Sequence, residues 1–117
     1  MRILVVDDEK TFCLLLVEVL ASQGHQVDWA NHTLEAYKKA QRHYYDLFVV
    51  DVHMPIILGT QLANVLREQS PAAKIILISA FADNTLHDAA HKLGAPLLSK
   101  PFTVETLLAV VAQTVHR

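Results

Sequence analysis

The sequence predicts an α/β fold in which a parallel sheet lies buried between two layers of helices. Two patterns predict it. Short runs of three to five residues, three of them almost purely apolar, alternate with longer segments whose apolar positions recur at helical spacing. The polar residues able to carry chemistry then gather where those runs end. Strands covered on both faces read as unbroken apolar stretches, whereas half-exposed strands alternate.

The runs are Ile3–Val6, Gln26–Ala30, Leu47–Val50, Ile75–Ile78 and Pro96–Leu98. Phe12, Leu15, Leu16, Val19 and Leu20 follow the first at helical spacing, with Gly24 as the expected C-terminal cap. Thr33 is placed to cap a second helix carrying Leu34 and Tyr37, continued by Gln41 or Tyr44. Gly59 opens a third, marked by Leu62, Val65 and Leu66. A weaker fourth runs from Asn84 to Leu93 and closes at Gly94. Thr103 caps a fifth, with Val104, Leu107, Leu108, Val111 and Val115 on its apolar face. Strand and helix therefore alternate five times. Glycines 24, 59 and 94 are evenly spaced by 35, but their flanks differ and Gly59 opens a helix where the others close one. The spacing is the length of a strand–helix unit, not a duplication.

Composition narrows the classes. A chain of 117 residues, 52% apolar and 19% charged, suits a single domain over residues 1–117 and excludes wholesale disorder. The five units consume that length. One cysteine forms no internal disulfide and suits a reducing compartment. A net charge of −2 provides no broad basic footprint for nucleic acid. No apolar run exceeds the six residues of Leu107 to Ala112, far short of a membrane span. The N-terminal apolar stretch meets Asp7 and Asp8 too soon for a signal peptide. A cytoplasmic domain is expected.

Chemistry is concentrated at the carboxyl ends of the strands: Asp7 and Asp8 after the first, Asp51 after the third, Ser79 after the fourth and Lys100 after the fifth. Open α/β sheets bind ligands outside those ends, where strand order reverses. With right-handed crossovers and order 2-1-3-4-5, a choice resting partly on the family resemblance below, these side chains converge on one crevice. Three carboxylates beside one lysine leave an excess of about two negative charges when ionised, a costly arrangement in a cleft. A divalent cation relieves it. Oxygen-only ligands favour Mg²⁺ or Mn²⁺ over zinc. Lysine and serine suit phosphoryl oxygens, and Asp51 could serve as a nucleophile forming an aspartyl phosphate.

In these stretches the sequence resembles the receiver domain of two-component response regulators, a flavodoxin-like fold. Those carrying the resemblance are Ile3-Leu4-Val5-Val6-Asp7-Asp8-Glu9, Asp51-Val52-His53-Met54-Pro55 with Gly59, Ser79-Ala80, and Lys100-Pro101-Phe102. They fall in the family's order, and the resemblance spans the chain. It implies that Asp51 accepts a phosphoryl group from a histidine kinase or phosphotransfer protein. It implies further that Asp7, Asp8, Asp51 and the backbone carbonyl of His53 hold Mg²⁺. Ser79 would swing towards the phosphoryl group and Lys100 would pair with it. The Lys100–Pro101 bond is cis in relatives, which would set the lysine's approach. Output would pass through a two-state surface around helix four, strand five and helix five, with Phe81, Ala89, Ala90, Leu97 and Val110 as candidate contacts.

The chain departs from the family pattern where relatives usually carry tyrosine or phenylalanine three residues before the lysine. Leu97 stands there, and the Gly94–Lys100 loop is one residue shorter than usual. Ile56, Ile57 and Leu58 make an unusually apolar turn, a possible contact surface. The missing aromatic motivates an alternative reading, a binding module that works without phosphate. A small metal-dependent phosphatase of the haloacid dehalogenase type is opposed by His53, because such enzymes carry a second aspartate at that position. A flavin site is opposed by the charge of Asp7-Asp8-Glu9. His87 and His91, four apart, could share a helix face, but no third zinc ligand lies near them in sequence. Cys13, Trp29 and Tyr37 read as packing residues.

Overall fold

A computed structural model of the chain describes residues 1–53, 59–81 and 83–115. Met54, Pro55 and the apolar turn of Ile56, Ile57 and Leu58 lie outside the described residues. The elements are β1 (Arg2–Val6), α1 (Lys10–Ala21), β2 (Gln26–Ala30), α2 (Thr33–Arg42), β3 (Leu47–Asp51), α3 (Gly59–Gln69), β4 (Lys74–Ser79), α4 (Asn84–Leu93), β5 (Leu97–Ser99) and α5 (Val104–Val115). The strands pair in parallel in the order β2-β1-β3-β4-β5, as expected.

Alternation along each strand divides the core into two layers. Leu4, Val6, Phe48, Val50, Ile75 and Leu77 face α2, α3 and α4, packing on Ala36, Leu62, Leu66 and Leu86. Ile3, Val5, Leu47, Val49, Ile76 and Ile78 face α1 and α5, packing on Cys13, Leu16, Leu20, Leu107 and Val111. Both faces of β3 are therefore buried along its whole length, which explains its unbroken apolar run. At the opposite end from the candidate site, the buried Tyr45 hydroxyl donates to Asp28 at 2.6 Å, and Arg2 reaches the same carboxylate at 3.3 Å. The first of these bonds satisfies the one polar atom of a wholly buried ring.

Several boundaries differ from the sequence reading for local reasons. Ser22 closes α1, and Gly24 follows in the turn with φ +87°, a left-handed conformation natural to glycine. His32, not Thr33, caps α2: its Nδ1 accepts the Glu35 amide at 3.2 Å, while Thr33 turns inward. The inward face of α2 is Thr33, Ala36 and Ala40, so Leu34 is 58% exposed and Tyr44 lies beyond the helix. Small side chains on that face let the helix approach the sheet closely. α1 buries Cys13, Leu16 and Leu20 and leaves Leu15 exposed. The caps of α4 and α5 agree with the sequence reading. Gly94 closes α4 at φ +65°, and Thr103 Oγ1 accepts the Thr106 amide at 3.1 Å.

Leu20→Ala should cost about 2–5 kcal/mol of unfolding free energy, because it empties a filled site in the α1 layer. Leu34→Ala should stay within about 0.5 kcal/mol, because the side chain already faces water. Urea unfolding of both variants checks this; comparable losses would contradict the packing of α2.

Candidate functional site

Each strand end delivers its polar residue for a backbone reason. The sheet ladder continues past β3 and β4 through Val52 N–H to Ile78 O at 2.9 Å and Lys100 N–H to Ser79 O at 2.8 Å. Asp51, Ser79 and Lys100 are thereby held in register rather than on free loops. Asp7 follows β1 directly, its own N–H donating to Ala30 O at 3.2 Å.

The result is a cluster of carboxylates. Asp7, Asp8 and Asp51 each present an oxygen within 4.8 Å of the others, and among the described residues this is the group able to hold a metal ion. Asp7 is 1% exposed and Asp51 4%, while Asp8 faces solvent. Each buried carboxylate receives one backbone donor: Glu9 N–H reaches Asp7 Oδ1 at 2.9 Å and His53 N–H reaches Asp51 Oδ1 at 3.2 Å. Lys100 Nζ lies 3.0 Å from Asp7 Oδ2 and 4.1 Å above the centre of the Phe12 ring. Phe12 in turn meets Phe102 edge-on at 5.9 Å. The Lys100–Pro101 peptide bond is cis, as the resemblance implies.

Burial makes these charges hard to hold. Desolvation pushes the carboxyl pKa of both Asp7 and Asp51 above the usual aspartate value, against the lowering effect of their amide donors and Lys100. Asp51 repels Asp7, and Asp8 repels Asp51. For Lys100, burial alone would lower the pKa, but its hydrogen bond to Asp7 and the charges of Asp7 and Asp51 outweigh that and raise it. Cys13, wholly buried beside Asp7, is pushed up to about 11 by desolvation and by the Asp7 charge, so it packs as a neutral thiol. A buried all-oxygen cluster with one lysine suits a hard divalent cation.

Ser79 is fully buried and joins the site through other residues. Its Oγ donates to Phe81 O at 2.6 Å and accepts from Phe81 N–H at 3.0 Å, while His53 Nε2 lies 2.9 Å away. The exposed His53 ring reaches across to the end of β4. Its contact with Ser79, and the Phe12 ring against Lys100, are features that sequence reasoning missed. Neither has a local signal, since both join elements distant in the chain.

Among the candidate surface residues, Phe81 is 73% exposed, and Ala89, Leu97 and Val110 are half-buried. Ala90 is a correction: it is buried on the inner face of α4 and offers no contact surface. His87 and His91 are exposed on α4. Trp29 and Tyr37 are half-buried, and the ammonium groups of Lys10 and Lys39 each lie 5.8 Å from the Trp29 ring centre.

Comparison with known proteins agrees with this geometry. The family model "Response regulator receiver domain" matches residues 3–112. The response regulator ArlR of Staphylococcus aureus is 32% identical over 99% of this chain and 53% of its own length. A CheY-like receiver domain protein from Methanospirillum hungatei superposes with a TM-score of 0.93 at 24% identity, covering 98% of this chain and 93% of that one. A response regulator from Burkholderia pseudomallei, solved with a phosphorylated aspartic acid, a calcium ion and citrate, superposes with a TM-score of 0.86 at 32% identity, covering 93% of this chain and 65% of that one. The chain spans about half the length of the curated relatives it matches. No helix among the described residues is long and apolar enough to cross a membrane. With the strand order, the carboxylate cluster and the family match in agreement, the chain belongs to the response regulator receiver domains of two-component systems.

Proposed function

We propose that residues 1–117 form one cytoplasmic receiver domain whose Asp51 accepts a phosphoryl group from a histidine kinase or phosphotransfer protein. The observation that carries this reading is the buried Asp51 carboxylate clustered within 4.8 Å of Asp7 and Asp8, with Lys100 on Asp7. The phosphorylated aspartic acid of the Burkholderia relative supports it. The chain's part is signalling rather than turnover of a small molecule. Its output would pass to a downstream protein or to a domain outside this chain.

An Asp51 oxygen attacks the donor phosphorus in line, an acyl phosphate bond forms, and the phosphorus–nitrogen bond to the donor histidine breaks. Asp7, Asp8, Asp51 and the His53 carbonyl would hold Mg²⁺, with Mn²⁺ an alternative. The ion's contribution is positive charge against the phosphoryl oxygens. Lys100 is already charged and lies beside the cluster, so a shift from Asp7 to a phosphoryl oxygen places it without unpairing it for long. Ser79 then exchanges its bond to Phe81 for one to the phosphoryl group. Because the Ser79 hydroxyl holds both the N–H and the carbonyl of Phe81, this movement displaces an exposed aromatic residue. A buried charge event thereby becomes a change of surface.

Incubation with acetyl phosphate and Mg²⁺ should add one phosphoryl group to the wild-type chain, read by intact mass, and none to Asp51→Asn. Addition to the variant, or none to the wild type, would defeat the proposal; the second result would favour the phosphate-independent binding module.

Charge strain predicts a stability effect as well. Asp51 has a raised pKa in the folded chain, so the native state binds its proton more tightly than the unfolded state. Its contribution is therefore favourable at low pH and is lost as pH rises from about the unfolded value of 3.8 through the raised native one. At neutral pH without divalent cations, Asp51→Asn should melt higher than wild type, by roughly 4 °C for each kcal/mol relieved. Added Mg²⁺ should raise the wild-type midpoint more than that of the variant. Equal shifts in both would count against Asp51 as a ligand.

A further inference from the structure

We infer that His53 is a positioning residue for Ser79: its imidazole N–H holds the serine hydroxyl on the Phe81 backbone and so sets how readily the serine turns towards Asp51. This rests on the phosphoacceptor reading for its consequence but not for its geometry. A serine hydroxyl has one proton to donate and two lone pairs to accept with. Here all of that capacity is used. The proton goes to Phe81 O at 2.6 Å, and the lone pairs face Phe81 N–H at 3.0 Å and His53 Nε2 at 2.9 Å.

Since the serine proton is committed to Phe81 O, Nε2 must be the donor in its contact with Oγ. The same Nε2 lies 3.3 Å from Phe81 O, so its N–H is shared between the two oxygens that already bond each other. His53 therefore closes a small polar ring made by itself, Ser79 and Phe81. Ser79 is completely buried while the His53 ring is exposed, so the imidazole is the solvent-side partner of an otherwise enclosed hydroxyl. Turning towards Asp51 requires the serine to give up Phe81 O and the imidazole together. A side chain that lacks the Nε2 donor makes that turn easier.

The backbone of His53 contributes separately, its N–H donating to Asp51 at 3.2 Å, so changing the side chain leaves the amide on the carboxylate in place. This separates the side chain's role from any direct role at Asp51. Gln offers an amide N–H close to where Nε2 sits, whereas Ala offers none.

The test uses beryllofluoride as the phosphoryl probe, titrated with Mg²⁺ into the whole chain and followed by amide shifts. His53→Ala should bind it about two- to tenfold more tightly than wild type, the effect of one net hydrogen bond. His53→Gln should stay near wild type. In a Ser79→Ala background, His53→Ala should change nothing further. Tightening that persists without Ser79 would place the imidazole's action on Asp51 directly and overturn the inference, as would an unchanged affinity in His53→Ala. Hydrogen exchange of the Phe81 amide in the unliganded chain tests the contact with no probe at all. It should speed up by the same two- to tenfold in His53→Ala. Unchanged exchange would overturn the inference. Absence of any beryllofluoride binding by wild type, with faster exchange in the variant, would instead defeat the phosphoacceptor reading and leave the contact standing.

Discussion

The arrangement turns on one electrostatic conflict. Three carboxylates meet within 4.8 Å, two of them buried, and a single ammonium group stands against them. Two buried anions with one cation are unstable in isolation, which is why desolvation raises both aspartates and the cluster raises Lys100. The fold tolerates the conflict because the rest of the sheet is filled with apolar side chains on both faces. A site poised in this way responds strongly to any added charge, positive or negative.

On the proposed function, geometry converts that poise into a switch. Because β1, β3, β4 and β5 are contiguous, their ends supply the carboxylates, the hydroxyl and the lysine from four rigid positions. The connection outward runs through Ser79, whose hydroxyl is tied to the backbone of Phe81, a residue open to solvent. Leu97 occupies the position where relatives usually carry an aromatic ring, and it packs against the α4 side of the core. The exposed aromatic nearest the serine is thus in the β4–α4 segment itself. On the proposed reading the signal takes a short backbone path from Ser79 to Phe81, which does not require a ring on β5.

The strands were legible because burial on both faces leaves little choice of residue; Leu47 to Val50 is apolar for that reason alone. Asp7, Asp8, Asp51, Ser79 and Lys100 were legible because open α/β sheets bind ligands outside the carboxyl ends of their strands, and these residues stand at four such ends. The phase of α2 was not. Its buried face is made of Thr33, Ala36 and Ala40, small residues that carry little hydropathy signal, while the more apolar Leu34 lies outside. Ala90 misled in the opposite sense, a small residue on a polar helix that turns inward. Contacts such as His53 with Ser79 and Phe12 with Lys100 depend on side-chain directions across elements far apart in the chain, and spacing encodes neither.

The central claim is that Asp51, and neither of its two carboxylate neighbours, is the phosphoacceptor. Borohydride reduction of the chain after treatment with a phosphoryl donor and Mg²⁺ tests it most directly, since an aspartyl phosphate is reduced to homoserine. Peptide sequencing by mass spectrometry should place homoserine at position 51 alone. Homoserine at position 7 or 8, or at none of the three, would contradict the account.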